Sequence, residues 1–317
     1  MELKTGILIA GSSPHLRSDA TARRIMLDVL IALVPATAAA VYFFGVRAAL
    51  VIAVTTAASV LAEFVSNKIM KKPITIGDLS AAVTGLLLAF NLPPGIPLWV
   101  AAIGGVFAIV VAKQLFGGLG MNFINPALAA RAFLMASWPV FMTTWTTPMV
   151  DAVSSATPLA IIKSAEAAGA TPPSIAQLFL GNVAGCLGET SALAILVGAA
   201  YLVVRRVITL ETPLAFIGTV AAMTWVLGGK GLFSGDVPYH LFAGGLMLGA
   251  FFMATDYPTS PITWKGKIIF GVGCGLLTSV IRLYGGYPEG VCYSILLMNL
   301  AVPIIDKFTV PKSFGGA

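Results

Sequence analysis

Asn91-Leu92-Pro93-Pro94-Gly95-Ile96-Pro97 cuts short an apolar stretch in the first half of the chain. Thr255-Asp256-Tyr257-Pro258-Thr259-Ser260-Pro261 does the same in the second half. Proline lacks a backbone N–H and pushes the residue before it out of the helical region, so a helix running into such a cluster stops there. The segments entering them, Asp78–Asn91 and Leu241–Met253, fall short of the roughly 20 residues that a spanning helix needs. Each cluster is followed by a Gly-rich full span and then a last helix: Leu98–Phe116 and Ala127–Trp138 after the first, Ile268–Leu283 and Val291–Ile305 after the second. This correspondence predicts two five-helix repeats, with broken helices meeting at mid-membrane.

Composition supports a bilayer setting. Of 317 residues, 58% are hydrophobic and 10% charged, against roughly 25% charged in soluble domains; the mean hydropathy is +0.94. The expected class is an all-α polytopic membrane protein with about ten transmembrane helices. A net charge of +6 reads as Lys and Arg in cytoplasmic loops and not as a nucleic-acid surface. The polar start, without an apolar core before Ile25, is not the pattern of a cleaved signal peptide. Cys186, Cys274 and Cys292 form no Cys-x-x-Cys pair, so neither a zinc nor an iron–sulfur site made by this chain alone is expected.

Charge sets the orientation. Arg17, Arg23 and Arg24 precede the first span, Ile25–Phe44, and Lys68, Lys71 and Lys72 follow the second, Ala48–Asn67. Positive clusters mark the cytoplasmic side. The amino and carboxyl termini are therefore expected inside, as are Arg205-Arg206 and Lys265. The predicted organisation is a cytoplasmic leader (1–24), a first membrane repeat (25–138), an outer loop (139–174), a second repeat (175–306) and a cytoplasmic tail (307–317). Because the first short helix runs outward and the second inward, the repeats are expected to be inverted.

Ionisable groups within apolar segments are candidates for function. Asp28, Asp78 and Asp256 are candidates for an ion path. Asp78 and Asp256 stand at corresponding helix breaks, where they would serve a cation or cap a helix. Lys113 and Arg282 read as snorkelling cations, and Glu63 as a surface partner of Lys68. Asn125-Pro126 reads as an N-cap followed by the proline that tolerates the first helical position. Arg131 follows within two turns and is the better candidate to contact a cofactor.

The outer loop carries Asp151-Ala152-Val153-Ser154-Ser155-Ala156-Thr157-Pro158-Leu159. Pro158 biases Thr157 towards an extended backbone, which predicts its hydroxyl off any helix. The pattern resembles the acceptor motif at which flavin transferases attach FMN to threonine through a phosphoester. Further stretches match the same family: Ser13-Pro14-His15, Ile25-Met26-Leu27-Asp28-Val29-Leu30, Asn125-Pro126-Ala127-Leu128-Ala129-Ala130-Arg131-Ala132-Phe133, and Ala254–Pro261. In this order the chain resembles, over essentially its whole length, the D subunits of Rnf complexes, which are similar to the B subunits of sodium-translocating NADH:quinone reductases. Ser155 stands where that family often has Gly.

The resemblance implies a flavin-bearing subunit of a bacterial membrane complex that passes electrons between ferredoxin and NAD and couples this to Na⁺ or H⁺ translocation. It implies covalent FMN on Thr157, a non-covalent riboflavin in some members, and a ten-helix inverted-repeat fold related to urea transporters. The implied partners are iron–sulfur subunits, a second FMN-bearing subunit and the flavin transferase. Ser154 and Ser155 would donate to phosphate oxygens or merely solvate the loop. Asn125 and Asp256 are expected to approach each other around a buried cofactor or ion, while the outer loop folds separately. The inverted repeat alone equally fits a channel for a small neutral solute; the acceptor loop favours electron transfer.

Overall fold

The computed structural model describes residues 21–148, 156–168, 172–229 and 231–311. Regular elements among them are helical. The first, α1 (Ala22–Ile69), runs 48 residues and is interrupted by Gly45 at φ 66°, ψ −154°, a backbone region essentially confined to glycine. A straight helix of that length would extend about 72 Å, more than twice the hydrocarbon core. Instead the chain doubles back. Met26 borders the same cavity as Lys113, and Lys113 bonds Glu63 at 2.9 Å, so both arms of α1 bring their far ends together.

The chain continues through α2 (Ser80–Phe90), α3 (Leu98–Val110), α4 (Pro126–Ser137), the short α5 (Pro139–Met142) and α6 (Pro158–Ala168). It then forms α7 (Ile175–Leu180), α8 (Ala192–Val204), α9 (Glu211–Leu227), α10 (Val237–Phe242) and α11 (Leu246–Leu248), which runs into a π-helical turn, Gly249–Met253. Two long helices, α12 (Trp264–Tyr284) and α13 (Val291–Thr309), close the chain. Four helical stretches are long and apolar enough to cross a membrane: α1, Leu98–Phe116, α12 and α13. Outward-facing apolar side chains such as Leu61, Val204, Ile304 and Phe308 are exposed, as a lipid-facing surface requires. The chain is a multi-pass helical membrane protein.

The expected short helices are short here too: α2 stops at Asn91, and the α11 segment ends before Asp256. The apolar piece Ile175–Leu187 is not one helix. It ends at Gly181, whose φ of 118° terminates α7 in the left-handed region.

Helices pack through small residues, the usual device where lipid supplies no hydrophobic drive for association. At Gly198 in α8, an added Cβ would sit 2.0 Å from the Ala32 carbonyl of α1, whereas at Gly218 in α9 it would meet nothing within 4 Å. Gly198→Ala is therefore expected to destabilise the subunit by about 1–3 kcal/mol through overpacking. Gly218→Ala should leave the unfolding midpoint in detergent unchanged or slightly raised. Equal midpoints for the two variants would show that α1 and α8 are not in contact at this point.

Three charges read from sequence as superficial are interior. Lys113 and Glu63 are 2% and 1% exposed. Lys113 Nζ donates to Glu63 Oε1 and, at 2.6 Å, to Ser80 Oγ. Gln114 and Thr75 donate to the same carboxylate oxygen. Arg282 is also buried and donates to the carbonyls of His240 and Ala243. Neither cation snorkels: each lies at the carboxyl end of a long span and turns its charge to partners inside the protein.

The segment carrying Thr157 does not fold apart from the rest. Leu159 is buried against Leu178, Val183, Tyr239 and Ala243. Tyr239 donates to the Pro158 carbonyl at 3.3 Å, and Lys163 donates to the carbonyls of Gly285 and Tyr287. Its first turn is thus pinned to the second half of the chain.

Candidate functional site

Two cavities flank the broken helices. One, termed inner for the side on which the sequence expects it, has about 80 Å³ and is bordered by Ile25 and Met26 of α1, Ser80 of α2, Lys113, Asn125 and Asp256. The outer one, about 360 Å³, is bordered by Thr157, Arg131, Glu189, Glu289 and the aromatic residues Trp145, Tyr287 and Tyr293. Helix α4 connects them. Asn125 precedes its first turn and Arg131 lies six residues on, roughly 9 Å along the axis.

Asn125 caps α4 as its sequence predicts: Oδ1 accepts from the N–H groups of Ala127 and Leu128. Its Nδ2 donates to the Met253 carbonyl at 3.4 Å, at the end of the other broken helix, and its own N–H donates to Asn299 Oδ1. Asn299 in turn donates to the Thr259 carbonyl. This one side chain joins both helix breaks, and Asp256 shares its cavity. The Asp256 carboxylate accepts from Thr259 Oγ1 at 3.1 Å.

The other acidic candidates lie elsewhere. Asp78 accepts from the N–H and the hydroxyl of Ser80 at 2.8 and 2.6 Å, an Asx-type turn onto the first residue of α2; the cap position itself is Leu79, in the left-handed region and without a side-chain bond. Asp28 is held between Tyr201 of α8 and Arg205, which caps the same helix, at 2.9 and 3.3 Å. The structure therefore does not gather Asp28, Asp78 and Asp256 into one cluster.

Thr157 stands directly before α6. Its hydroxyl accepts from the Ala160 N–H at 3.3 Å and its carbonyl from the Ile161 N–H at 2.9 Å, which is the position of a helix N-cap. The hydroxyl expected to lie off any helix sits instead at a helix amino terminus. Arg131 borders the same cavity and is 7% exposed. Its guanidinium donates to Asn91 Oδ1 and Glu289 Oε2, each at 2.7 Å. Ser154 and Ser155, like Asp151, lie outside the described residues. Arg131 and Asn125, although on one helix, serve different cavities.

Glu289 is the site residue that sequence reasoning missed. It lies in the Gly285–Gly290 turn between α12 and α13, where a lone carboxylate among Gly, Pro and Tyr was the available signal. Its Oε1 accepts from the Gly245 N–H, at the start of the second broken helix.

A phosphoester at Thr157 fits this arrangement. The ester oxygen would keep its place as an acceptor at the start of α6, where exposed N–H groups and the helix dipole favour an anion. The cavity falls within the roughly 300–1,000 Å³ typical of ligand sites. Tyr287 and Tyr293, with centroids 5.6 Å apart, offer aromatic faces to a planar ring. The inner cavity is too small for a flavin as it stands, but at about 80 Å³ it has room for several waters or a cation.

Broken helices beside two largely apolar cavities, each with a few buried polar or charged groups in its wall, define a class: an integral membrane protein with room for small groups inside its helix bundle. Within that class the chain belongs to the family described as NQR2, RnfD, RnfE, which matches residues 9–315. It is 52% identical over 311 residues to the D subunit of the Na⁺-translocating ferredoxin:NAD⁺ oxidoreductase complex of Acetobacterium woodii, covering 97% of this chain and 95% of that one. It is 49% identical to the D subunit of the proton-translocating ferredoxin:NAD⁺ oxidoreductase complex of Clostridium ljungdahlii, covering 99% and 98%. The D subunit of the ion-translocating oxidoreductase complex of Pectobacterium carotovorum is 36% identical, covering 96% and 97%.

Proposed function

We propose that this chain is the flavin-bearing membrane subunit of an ion-translocating ferredoxin:NAD⁺ oxidoreductase, with FMN esterified to Thr157. The observation that carries the reading is Thr157 at the amino terminus of α6, opening onto a cavity that also holds the buried Arg131. In this reading the N–H groups of the first turn of α6 hold the phosphate, and Arg131 faces the cavity with its positive charge. Tyr287 and Tyr293 orient a ring, and Leu159 with Tyr239 fixes the tether against the membrane part. When bound, the flavin supplies electron exchange; the chain supplies tether, orientation and electrostatics. Ferredoxin oxidation and NAD reduction belong to partner subunits, including iron–sulfur subunits and a second FMN-bearing one, and a flavin transferase matures Thr157.

We read the architecture as ten spans in two inverted five-helix repeats of the urea-transporter type. In support, each half has a buried cation at the foot of its broken helix. Lys113 donates to Ser80 at the start of α2, and Arg282 donates to Ala243 just before the α11 segment. The ion, Na⁺ or H⁺, is assigned to the inner cavity at Asn125 and Asp256. Relatives of nearly equal identity are named for different ions, so similarity does not choose between them. A riboflavin does not fit that cavity without displacement of its walls.

The membrane is the bacterial cytoplasmic membrane, with both termini inside and Thr157 on the outer face. Reporters fused near Lys71 and Arg206 are expected to report the cytoplasm, and one near Gly169 the outside; a cytoplasmic Gly169 would put Thr157 out of reach of an external transferase. The flavin itself is tested by ultraviolet fluorescence of the denatured subunit in a gel. Wild type should fluoresce and Thr157→Ala should not, with both present at equal amounts in the membrane. Fluorescence retained in the variant would refute the assignment.

A further inference from the structure

The wall of the outer cavity holds a carboxylate that the tether does not use. Glu189, in the loop between α7 and α8, is 8% exposed and borders the cavity. Its Oε1 accepts from the Cys186 N–H at 2.7 Å, whereas its Oε2 is buried with no hydrogen-bond partner. A second carboxylate stands beside it. A Cβ placed on Gly245 would meet Glu289 Oε1 at 2.6 Å and Glu189 Oε2 at 3.3 Å, so the two oxygens crowd the same point.

Their environments differ. Glu289 has the Arg131 guanidinium at 2.7 Å and the Gly245 N–H, donors that hold it ionised. Glu189 Oε2 receives neither. The cations facing it are committed elsewhere: Arg131 to Glu289 and Asn91, Arg282 to the carbonyls of His240 and Ala243. The remaining titratable groups are the buried thiols of Cys186, on its own loop, and Cys292 of α13, with the phenols of Tyr287 and Tyr293 on the same cavity wall; none of them is a cation. A bare buried carboxylate oxygen beside an ionised one is costly, and a proton removes both the desolvation and the repulsion. A metal cation would need several further oxygen ligands and would sit near two guanidinium groups, so the proton is the ligand that this site fits.

We infer that Glu189 is a proton-binding site of the outer cavity. Its carboxylate takes up one proton from the cavity to become a neutral carboxyl and returns it there, while Glu289 stays ionised against Arg131. This goes beyond the flavin reading and does not depend on it, since every group in the argument belongs to the chain.

Dicyclohexylcarbodiimide, an apolar reagent, modifies protonated carboxyl groups and tests the site on the purified whole complex. Peptide mass spectrometry should find the adduct on Glu189 and not on Glu289, with a yield that falls as pH rises and disappears in Glu189→Gln. Glu289→Gln removes the like charge and should move the midpoint of labelling to lower pH. The same labelling is expected in the Thr157→Ala complex, so failure of the flavin assignment and failure of this one are separable. Adduct on Glu289 instead, or protection of Glu189 by millimolar Na⁺ at constant pH, would overturn the inference, the latter in favour of a metal cation. If the reagent leaves both residues untouched, infrared difference spectra between wild type and Glu189→Gln decide. A protonated-carboxyl C=O band lost in the variant supports the site; identical spectra overturn it.

Discussion

Lys113→Met is expected to cost the folded subunit about 3–5 kcal/mol, the usual penalty for removing one partner of a buried ion pair. Lys113 and Glu63 are both almost fully enclosed, and Glu63 Oε2 has no partner. The lone carboxylate would keep only its contacts with Gln114 and Thr75, and Ser80 at the head of α2 would lose its 2.6 Å contact. A midpoint drop of many degrees in detergent, or loss of the subunit from the membrane, is the expected readout. Glu63→Leu combined with Lys113→Met should recover much of the loss, because replacing both charges leaves no ion stranded. If the double variant is as unstable as the single, the pair's role is not electrostatic and the packing of α1 against α2 and α3 depends on these side chains in some other way.

The second large effect is expected at Asn125. Asn125→Leu removes the cap of α4, worth about 0.5–2 kcal/mol, and with it the bond from Nδ2 to the Met253 carbonyl. Buried backbone groups left unpaired in the membrane cost several kcal/mol (roughly) each, so the two helix breaks should separate or admit water. Ferredoxin-driven NAD reduction coupled to ion uptake should fall about tenfold or more in vesicles carrying the variant complex, each 1.4 kcal/mol at the site being worth a factor of ten. Asp256→Leu should impair ion uptake without disturbing the cap. Thr157 should still acquire flavin in both variants, because the hydrogen bonds that fix its segment, from Tyr239 to the Pro158 carbonyl and from Lys163 to the Tyr287 carbonyl, involve neither substituted residue. Wild-type rates and coupling in both variants would show that the breaks are only structural.

The helix breaks were legible in the sequence because proline and the Asn-Pro cap act locally: Asn91–Pro97, Asn125-Pro126 and Asp256–Pro261 end or start helices where their backbone chemistry says they must. The burial of Lys113, Glu63 and Arg282 was not legible. A charge near the end of an apolar run looks the same whether it reaches water or meets a partner 50 residues away in the chain, and the Lys113–Glu63 pair is such a case. The outer cavity was legible only in part. Thr157 and Arg131 were each singled out, but Glu289, which ties Arg131 to the second broken helix, sits in a turn with no pattern of its own. The helix α6 was hidden by the small, hydroxyl-rich run before it, although Thr157-Pro158 is an N-cap followed by a favourable first residue.

The intact mass of the subunit, released from the purified complex under denaturing conditions, tests the central claim most directly. The bare chain has a mass of 32.8 kDa, and a phosphoester to one FMN, formed with loss of one water, adds a fixed increment. Wild type should carry that increment, fragmentation should place it on the peptide containing Thr157, and Thr157→Ala should return to the bare mass. A wild-type subunit at the bare mass, or an increment that survives in Thr157→Ala, would contradict the account and reopen the reading of this fold as a channel for a small neutral solute.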